Sequence, residues 1–191
     1  MKIYPRHFFY QLQYELKDNT VDITYIIQNQ DGRTMYFGLG GHPGFMVPLE
    51  NGMAFEDYCL EFSKASEPNR IGMSRECFVL GEDERWKLED GRIQRLSHDL
   101  FDDDAIILKD MCREVTLKSH KGHRAVTVRY PQMDYLGIWH WPKTDSPYVC
   151  IEPWSSLPSR HGVVEELEHQ ADLIQLGAGE EYRNTWSISL W

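Results

Sequence analysis

The sequence predicts an all-β protein, an antiparallel β-sandwich folded as one domain over residues 1–191. Two observations carry this reading. Apolar residues recur with a period of two through most of the 191 residues, whereas helical spacing is confined to two short segments. Turn-forming clusters fall regularly between the alternating runs: QDGR (30–33), EDGR (89–92), SHKGHR (119–124) and GAGEE (177–181). Hydrophobic residues make up 41% and charged residues 26% of the chain, an ordinary globular composition with enough length for a substantial core.

The elements follow in order. FFYQLQYEL sets Phe8, Tyr10, Leu12, Tyr14 and Leu16 against Gln11, Gln13 and Glu15. KDNT is turn material, and VDITYII then places Val21, Ile23, Tyr25 and Ile27 on one face, so the two runs form a hairpin. TMYF is strand-like and leads into the glycine-rich GLGGHPGF (38–45). Strands are expected at YCLEF (58–62), AIILK (105–109), EVTLK (114–118), AVTVRY (125–130), YLGIWHW (135–141) and PYVCIE (147–152). EYRNTWSISLW closes the series, with Tyr182, Asn184, Trp186, Ile188 and Leu190 on one face. SHDLF (97–101) and VVEELEHQ (163–170) have room for a helical turn or two. There is no internal repeat and no linker-like segment, so nothing in the pattern divides the chain.

The formal net charge is −10, with no basic stripe, which argues against nucleic acid or an anionic membrane as partner. No run is apolar enough to span a bilayer, and MKIYPRHFFY lacks the apolar core of a secretory leader. Cys59, Cys77, Cys112 and Cys150 are scattered singly, as expected for reduced thiols of a cytoplasmic protein. GxSxG, the P-loop and GxGxxG are all missing, so nucleophilic serine, nucleotide-phosphate and dinucleotide chemistry have no support. The histidines and acids do not fall at metal-ligand spacing, and the DDD run has neither the spacing nor the glycine of a calcium loop.

Three segments carry candidate chemistry. In VCIEPWSSLPSRHG (149–162), Glu152 follows an apolar strand and is followed at once by Pro153 and Trp154. A carboxylate there is costly to bury unless a function needs it. A tryptophan beside a carboxylate suits a sugar, whose C–H faces stack on aromatic rings; Trp154 is the candidate, and Trp139 and Trp141 share its setting near a strand end. In GLGGHPGF, His42 is the one titratable group, and a loop histidine alone is ordinarily just solvated. Together with Glu152 it forms a pair able to divide proton transfer near neutral pH. In HDLFDDDAIIL (98–108), Asp102 and Asp103 read as a solvated turn, while Asp104 abuts the strand and can be held facing a cleft. Arg160 and Arg124 are the candidate cations should the ligand carry phosphate.

Taken in order, LGGHPGF, LFDDDAIIL, LGIWHWPKTDSPYVCIEPWSSLPSRHG and LGAGEEYRNTWSISL resemble the aldose 1-epimerase (galactose mutarotase-like) family, nearest its LacX-like branch. GGHP and CIEPW are the most specific pieces. The resemblance implies a large β-sandwich with a sugar groove across one face, no metal and no cofactor. It also implies a reaction that interconverts α and β anomers of an aldose. It assigns the proton-accepting glutamate to Glu152, the ring-oxygen acid to His42 and the hydroxyl-binding aspartate to Asp104, and it leaves Trp154 and Arg160 as further substrate contacts. Three other readings stay open on the residues alone: a non-catalytic sugar-binding protein of the same fold, a hexose-6-phosphate 1-epimerase, and a glycosidase using Glu152 with Asp104.

Family members are longer, with early strands that carry a second histidine and an arginine; Arg6 and His7 do not match them. The expectation is a sandwich incomplete at its N-terminus, with the face of Phe8, Tyr10 and Tyr14 uncovered. Such a chain is expected to self-associate through that region, or to lose activity and stability as a monomer.

Overall fold

The structure, a computed structural model, describes residues 4–191. The strands, in chain order, are β1 (Phe8–Lys17), β2 (Thr20–Asn29), β3 (Met35–Phe37), β4 (Gly44–Met46) and β5 (Tyr58–Phe62). Next come β6 (Asn69–Arg70), β7 (Glu84–Arg85), β8 (Ile93–Arg95), β9 (Ile106–Lys109) and β10 (Glu114–Ser119). The last five are β11 (Ala125–Arg129), β12 (Tyr135–Trp139), β13 (Tyr148–Trp154), β14 (Ile174–Leu176) and β15 (Glu181–Leu190). One sheet runs β1-β2-β15-β11-β10-β5-β8 and the other β4-β13-β12-β9-β6-β7, with β3 and β14 as a separate pair. The named strand pairs are antiparallel.

The alternation seen in the sequence becomes the packing between sheets. Ile23, Tyr25, Ile27, Leu60, Phe62, Leu117, Val128 and Trp186 project from the first sheet. Ile106, Leu108, Leu136, Ile138, Val149 and Ile151 meet them from the second. Each fully buried aliphatic or aromatic side chain contributes about 1.5–3 kcal/mol, which makes this layer the dominant favourable term. Among the described residues, helical structure is limited to short 3₁₀ turns: Phe55–Asp57, His98–Phe101 and Leu167–His169. The segment 163–170 therefore holds one such turn and no longer helix.

β1 is the exception to the burial. Its register sets Tyr10 opposite Ile27, Leu12 opposite Tyr25 and Tyr14 opposite Ile23, so its apolar face continues the inner face of the first sheet. The second sheet does not reach over it. Phe8, Tyr10, Leu12, Tyr14 and Leu16 are all exposed, Leu16 by 72%. β1 is also an edge strand, its outer row of backbone groups unpaired in the sheet. The uncovered aromatic face expected from the sequence is thus present. No helix among the described residues is long and apolar enough to cross a membrane.

Candidate functional site

The site is built on the outer face of the second sheet. In β13 the side chains alternate: Val149, Ile151 and Pro153 enter the core layer, while Cys150, Glu152 and Trp154 share the opposite face. The register with β12 sets Cys150 opposite Trp139, Glu152 opposite Gly137 and Trp154 opposite Tyr135. Gly137 in turn faces Ile107 of β9. The result is a three-strand floor with one carboxylate at its centre, beneath a cleft of about 1170 Å³.

The sequence suggested that the strand stops at Glu152, yet β13 runs on through Pro153 and Trp154. The carbonyl of Pro153 accepts a hydrogen bond from the Gly41 N–H at 2.9 Å. A strand residue directs its nitrogen and its carbonyl to the same edge. The missing N–H of Pro153 therefore faces the glycine-rich loop, and the ladder to β12 is not interrupted.

That loop lies along the free edge of β13. The Ser155 N–H donates to the Leu39 carbonyl (2.8 Å) and the Ile151 N–H to the Pro43 carbonyl (3.1 Å), while the Tyr25 hydroxyl donates to the Gly40 carbonyl (3.0 Å). Glycine is required for this approach: a Cβ on Gly40 would sit 2.7 Å from Cδ1 of Trp154. Held this way, the loop presents His42 directly over Glu152, with Nε2 3.2 Å from Oε1. The two side chains differ sharply in setting, the histidine being 62% exposed and the glutamate 5%. Burial raises the Glu152 carboxyl above the usual carboxylate range; the charge of His42 and the hydrogen bond from the Trp154 side chain oppose that rise, and the charge of Asp104 adds to it.

Asp104 sits on the rim. Its backbone is in the left-handed region (φ 78°), a conformation that aspartate tolerates, and Oδ1 accepts hydrogen bonds from its neighbour's N–H (Ala105, 2.9 Å) and from the Trp139 indole N–H (2.9 Å). The Trp139 ring meets the His42 ring edge-to-face at a centroid distance of 5.9 Å. Asp104, Trp139, His42, Glu152 and Trp154 thus line one cleft. His42 and Glu152 meet because the loop and β13 are neighbours in the sheet, although they are far apart in the chain.

Arg160 is placed differently. Its guanidinium is held by Glu165, with Nη2 2.6 Å from Oε2, and it does not line the cleft. Arg124 donates to the Leu49 carbonyl and is likewise outside it. The cations that do line the cleft are Arg70, Arg75 and Lys143. Arg70 lies over the Trp86 ring at 5.4 Å. Nothing in the local sequence around Arg70 marks it, because the two-residue β6 has no alternation to read. Gly137 was also hidden, inside the apolar run YLGIWHW, though its smallness is what leaves room for the Glu152 carboxylate.

A family model described as aldose 1-epimerase matches residues 2–189. The chain is 31% identical over 190 residues to the chromosomal and plasmid LacX proteins of Lactococcus lactis subsp. lactis, covering 98% of this chain and 63% of each of those. Among solved structures, a galactose mutarotase related enzyme from Lactobacillus acidophilus superposes with a TM-score of 0.90 at 30% identity, over 100% of this chain and 63% of that one. A galactose mutarotase-like protein from Lactobacillus casei gives a TM-score of 0.90 at 27% identity, over 100% and 65%. The chain therefore spans 63% of the length of the curated relatives it matches. With its sandwich, its cleft and a family match over nearly the whole sequence, this chain belongs to the aldose 1-epimerase family.

Proposed function

We propose that the protein interconverts the α and β anomers of an aldohexose by acid–base ring opening. The observation that carries this is the contact between His42 Nε2 and Glu152 Oε1 at 3.2 Å on the floor of the cleft. A bound sugar takes the place of that contact. Glu152 accepts the proton of the anomeric hydroxyl while His42 Nε2 donates one to the ring oxygen, and the bond from the anomeric carbon to the ring oxygen breaks. The anomeric carbon then turns about its bond to the next carbon, and the reverse transfers close the ring on the other face. Burial makes Glu152 a stronger base than a solvated carboxylate, and partial exposure leaves His42 free to follow the ring oxygen. Asp104 takes sugar hydroxyls, and Trp154 and Trp139 offer rings to the C–H faces.

The lining supports a neutral sugar over a phosphorylated one. Seven carboxylates (Glu82, Asp83, Glu84, Asp102, Asp103, Asp104 and Glu152) outnumber Arg70, Arg75 and Lys143, a balance that repels a phosphate dianion. Arg160, turned to Glu165, adds nothing to phosphate binding unless that pair opens. The His42–Glu152 contact favours ring opening over glycosidic cleavage, and it favours catalysis over mere binding. The four unpaired thiols fit a reducing, cytoplasmic setting. The test is polarimetry of freshly dissolved glucose and galactose. The wild-type chain should speed equilibration, and His42→Asn should lower the rate by about 10²–10⁴-fold. Equal rates for the two proteins would contradict the assignment.

The same reading extends to assembly. β1 offers an unpaired antiparallel edge and an uncovered apolar face that is continuous with the sheet's inner surface. We propose a second copy as its occupant: β1 strands of two molecules pair edge to edge, extending both sheets and bringing their exposed aromatics next to one another along the seam.

A further inference from the structure

Beside the floor of the cleft lies a third ligating side chain that the acid–base reading does not use: Cys150 is buried and does not itself line the cleft. Cys150 lies two residues before Glu152 on the same face of β13, and its Sγ, a His42 ring nitrogen and a Glu152 carboxylate oxygen all lie within 4.8 Å of one another. Thiolate, imidazole and carboxylate together form a donor set that prefers zinc over the hard cations magnesium and calcium. Tetrahedral zinc with ligands at about 2.0–2.3 Å sets its donor atoms roughly 3.4–3.7 Å apart. Closing the present spacing to that value needs a shift of about 1 Å. His42 can supply it, since its side chain is 62% exposed and sits on a loop. Two of the three ligands are fixed by the β13 backbone, so the site is largely preformed. The open side faces the cleft, which gives the ion an entry path and leaves a fourth position for water.

We propose that Cys150, His42 and Glu152 bind a zinc ion that occupies the catalytic pair, and that zinc therefore acts as a reversible inhibitor competing with sugar. The role as an inhibitor rests on the acid–base reading above; the metal site itself does not. Binding forms a sulfur–zinc bond and releases the thiol proton to solvent. It ties up the His42 nitrogen and the Glu152 oxygen needed for proton transfer. Because the metal must displace the thiol proton, affinity rises with pH.

The test uses the metal directly. Cobalt(II) added to the whole chain should give an intense near-ultraviolet sulfur-to-cobalt charge-transfer band, and zinc should abolish it stoichiometrically. Cys150→Ser and Cys150→Ala, both checked for native circular dichroism, should lose the band, whereas Cys77→Ser should keep it. Cobalt binding without a thiolate band, or a band that survives both Cys150 variants, would overturn the site. A parallel polarimetric titration separates the two ideas. Zinc-sensitive exchange with competition by sugar supports inhibition, and exchange that ignores zinc at saturating charge-transfer signal contradicts it. If no exchange occurs at all, the spectrum still decides whether the metal binds.

Discussion

Gly137→Ala probes how tightly the floor is built around the carboxylate. A Cβ at this position would lie 3.1 Å from Cζ2 of Trp154, 3.3 Å from Cβ of Glu152 and 3.4 Å from its Oε2. The first two distances are shorter than relaxed carbon contacts and the third is an ordinary contact to oxygen, so the Trp154 ring and the Glu152 Cβ must yield by a few tenths of an ångström. Neither yields easily: Glu152 is buried and both are locked in the β12–β13 ladder. Overpacking of this kind costs about 1–3 kcal/mol. At about 2–4 °C per kcal/mol for a chain of this size, the melting temperature should fall by ~2–12 °C. The same push moves the Glu152 oxygen relative to His42. A displacement approaching 1 Å costs about 10²-fold in rate, so a loss of roughly 10–100-fold in kcat is expected. Calorimetry and polarimetry on the same preparation read both effects. Gly32→Ala is the control, since nothing lies within 4 Å of a Cβ there. A Gly137→Ala protein with wild-type melting temperature and exchange rate would refute the close-packed floor.

Glu152→Gln should raise stability at neutral pH while removing the base. Burial holds the folded carboxyl above its unfolded value, so this group's contribution to stability is fully present below about pH 4.3 and is lost as pH rises through the folded value. The variant should therefore melt higher than wild type at pH 7 and alike at pH 4; a lower melting temperature at pH 7 would mean that the His42 contact outweighs the cost of burial. The wild-type rate should trace a bell against pH, its acid limb above the ordinary carboxylate range, and a flat profile from acidic to mildly alkaline pH would argue that Glu152 and His42 do not share the proton work. Tyr14→Lys places a charge on the uncovered face of β1, where the wild-type side chain is 66% exposed. Light scattering should show concentration-dependent association of the wild type and a shift toward monomer in the variant; a monomeric, fully active and thermally robust wild type would contradict the proposed pairing.

What could be read in advance, and what could not, follows from the physics of each segment. The long strands β1, β2 and β15 each have one wet or half-wet face, so their alternation is written in side-chain polarity. β13 is buried on nearly every position, and its extent was obscured by Pro153, whose effect depends on which edge the nitrogen faces. β4 was hidden in a glycine-rich segment, where composition signals a loop and only the partner strand makes it extended. Glu152 stood out because a carboxylate between an apolar strand and Pro-Trp is costly to bury. Its partnership with His42 was suggested by their complementary proton chemistry and given roles by the family resemblance, since no spacing rule links positions so distant. Cys150 as a third ligand needed the register: position i−2 on a strand matters only once the strand's facing surface is known to border the cleft. Arg160 shows the reverse case, a cation near the motif in sequence whose side chain is taken by Glu165.

The measurement that bears most directly on the central claim is the rate of anomer exchange in Glu152→Gln beside wild type. Both would be followed by polarimetry on freshly dissolved sugar at equal protein concentration, with native folding of the variant confirmed by circular dichroism. Removal of the base from an otherwise intact cleft should lower the enzymatic rate by about 10²–10⁴-fold, or ~2.7–5.4 kcal/mol in barrier. A folded Glu152→Gln protein that equilibrates anomers as fast as wild type would contradict the claim that this carboxylate carries the chemistry.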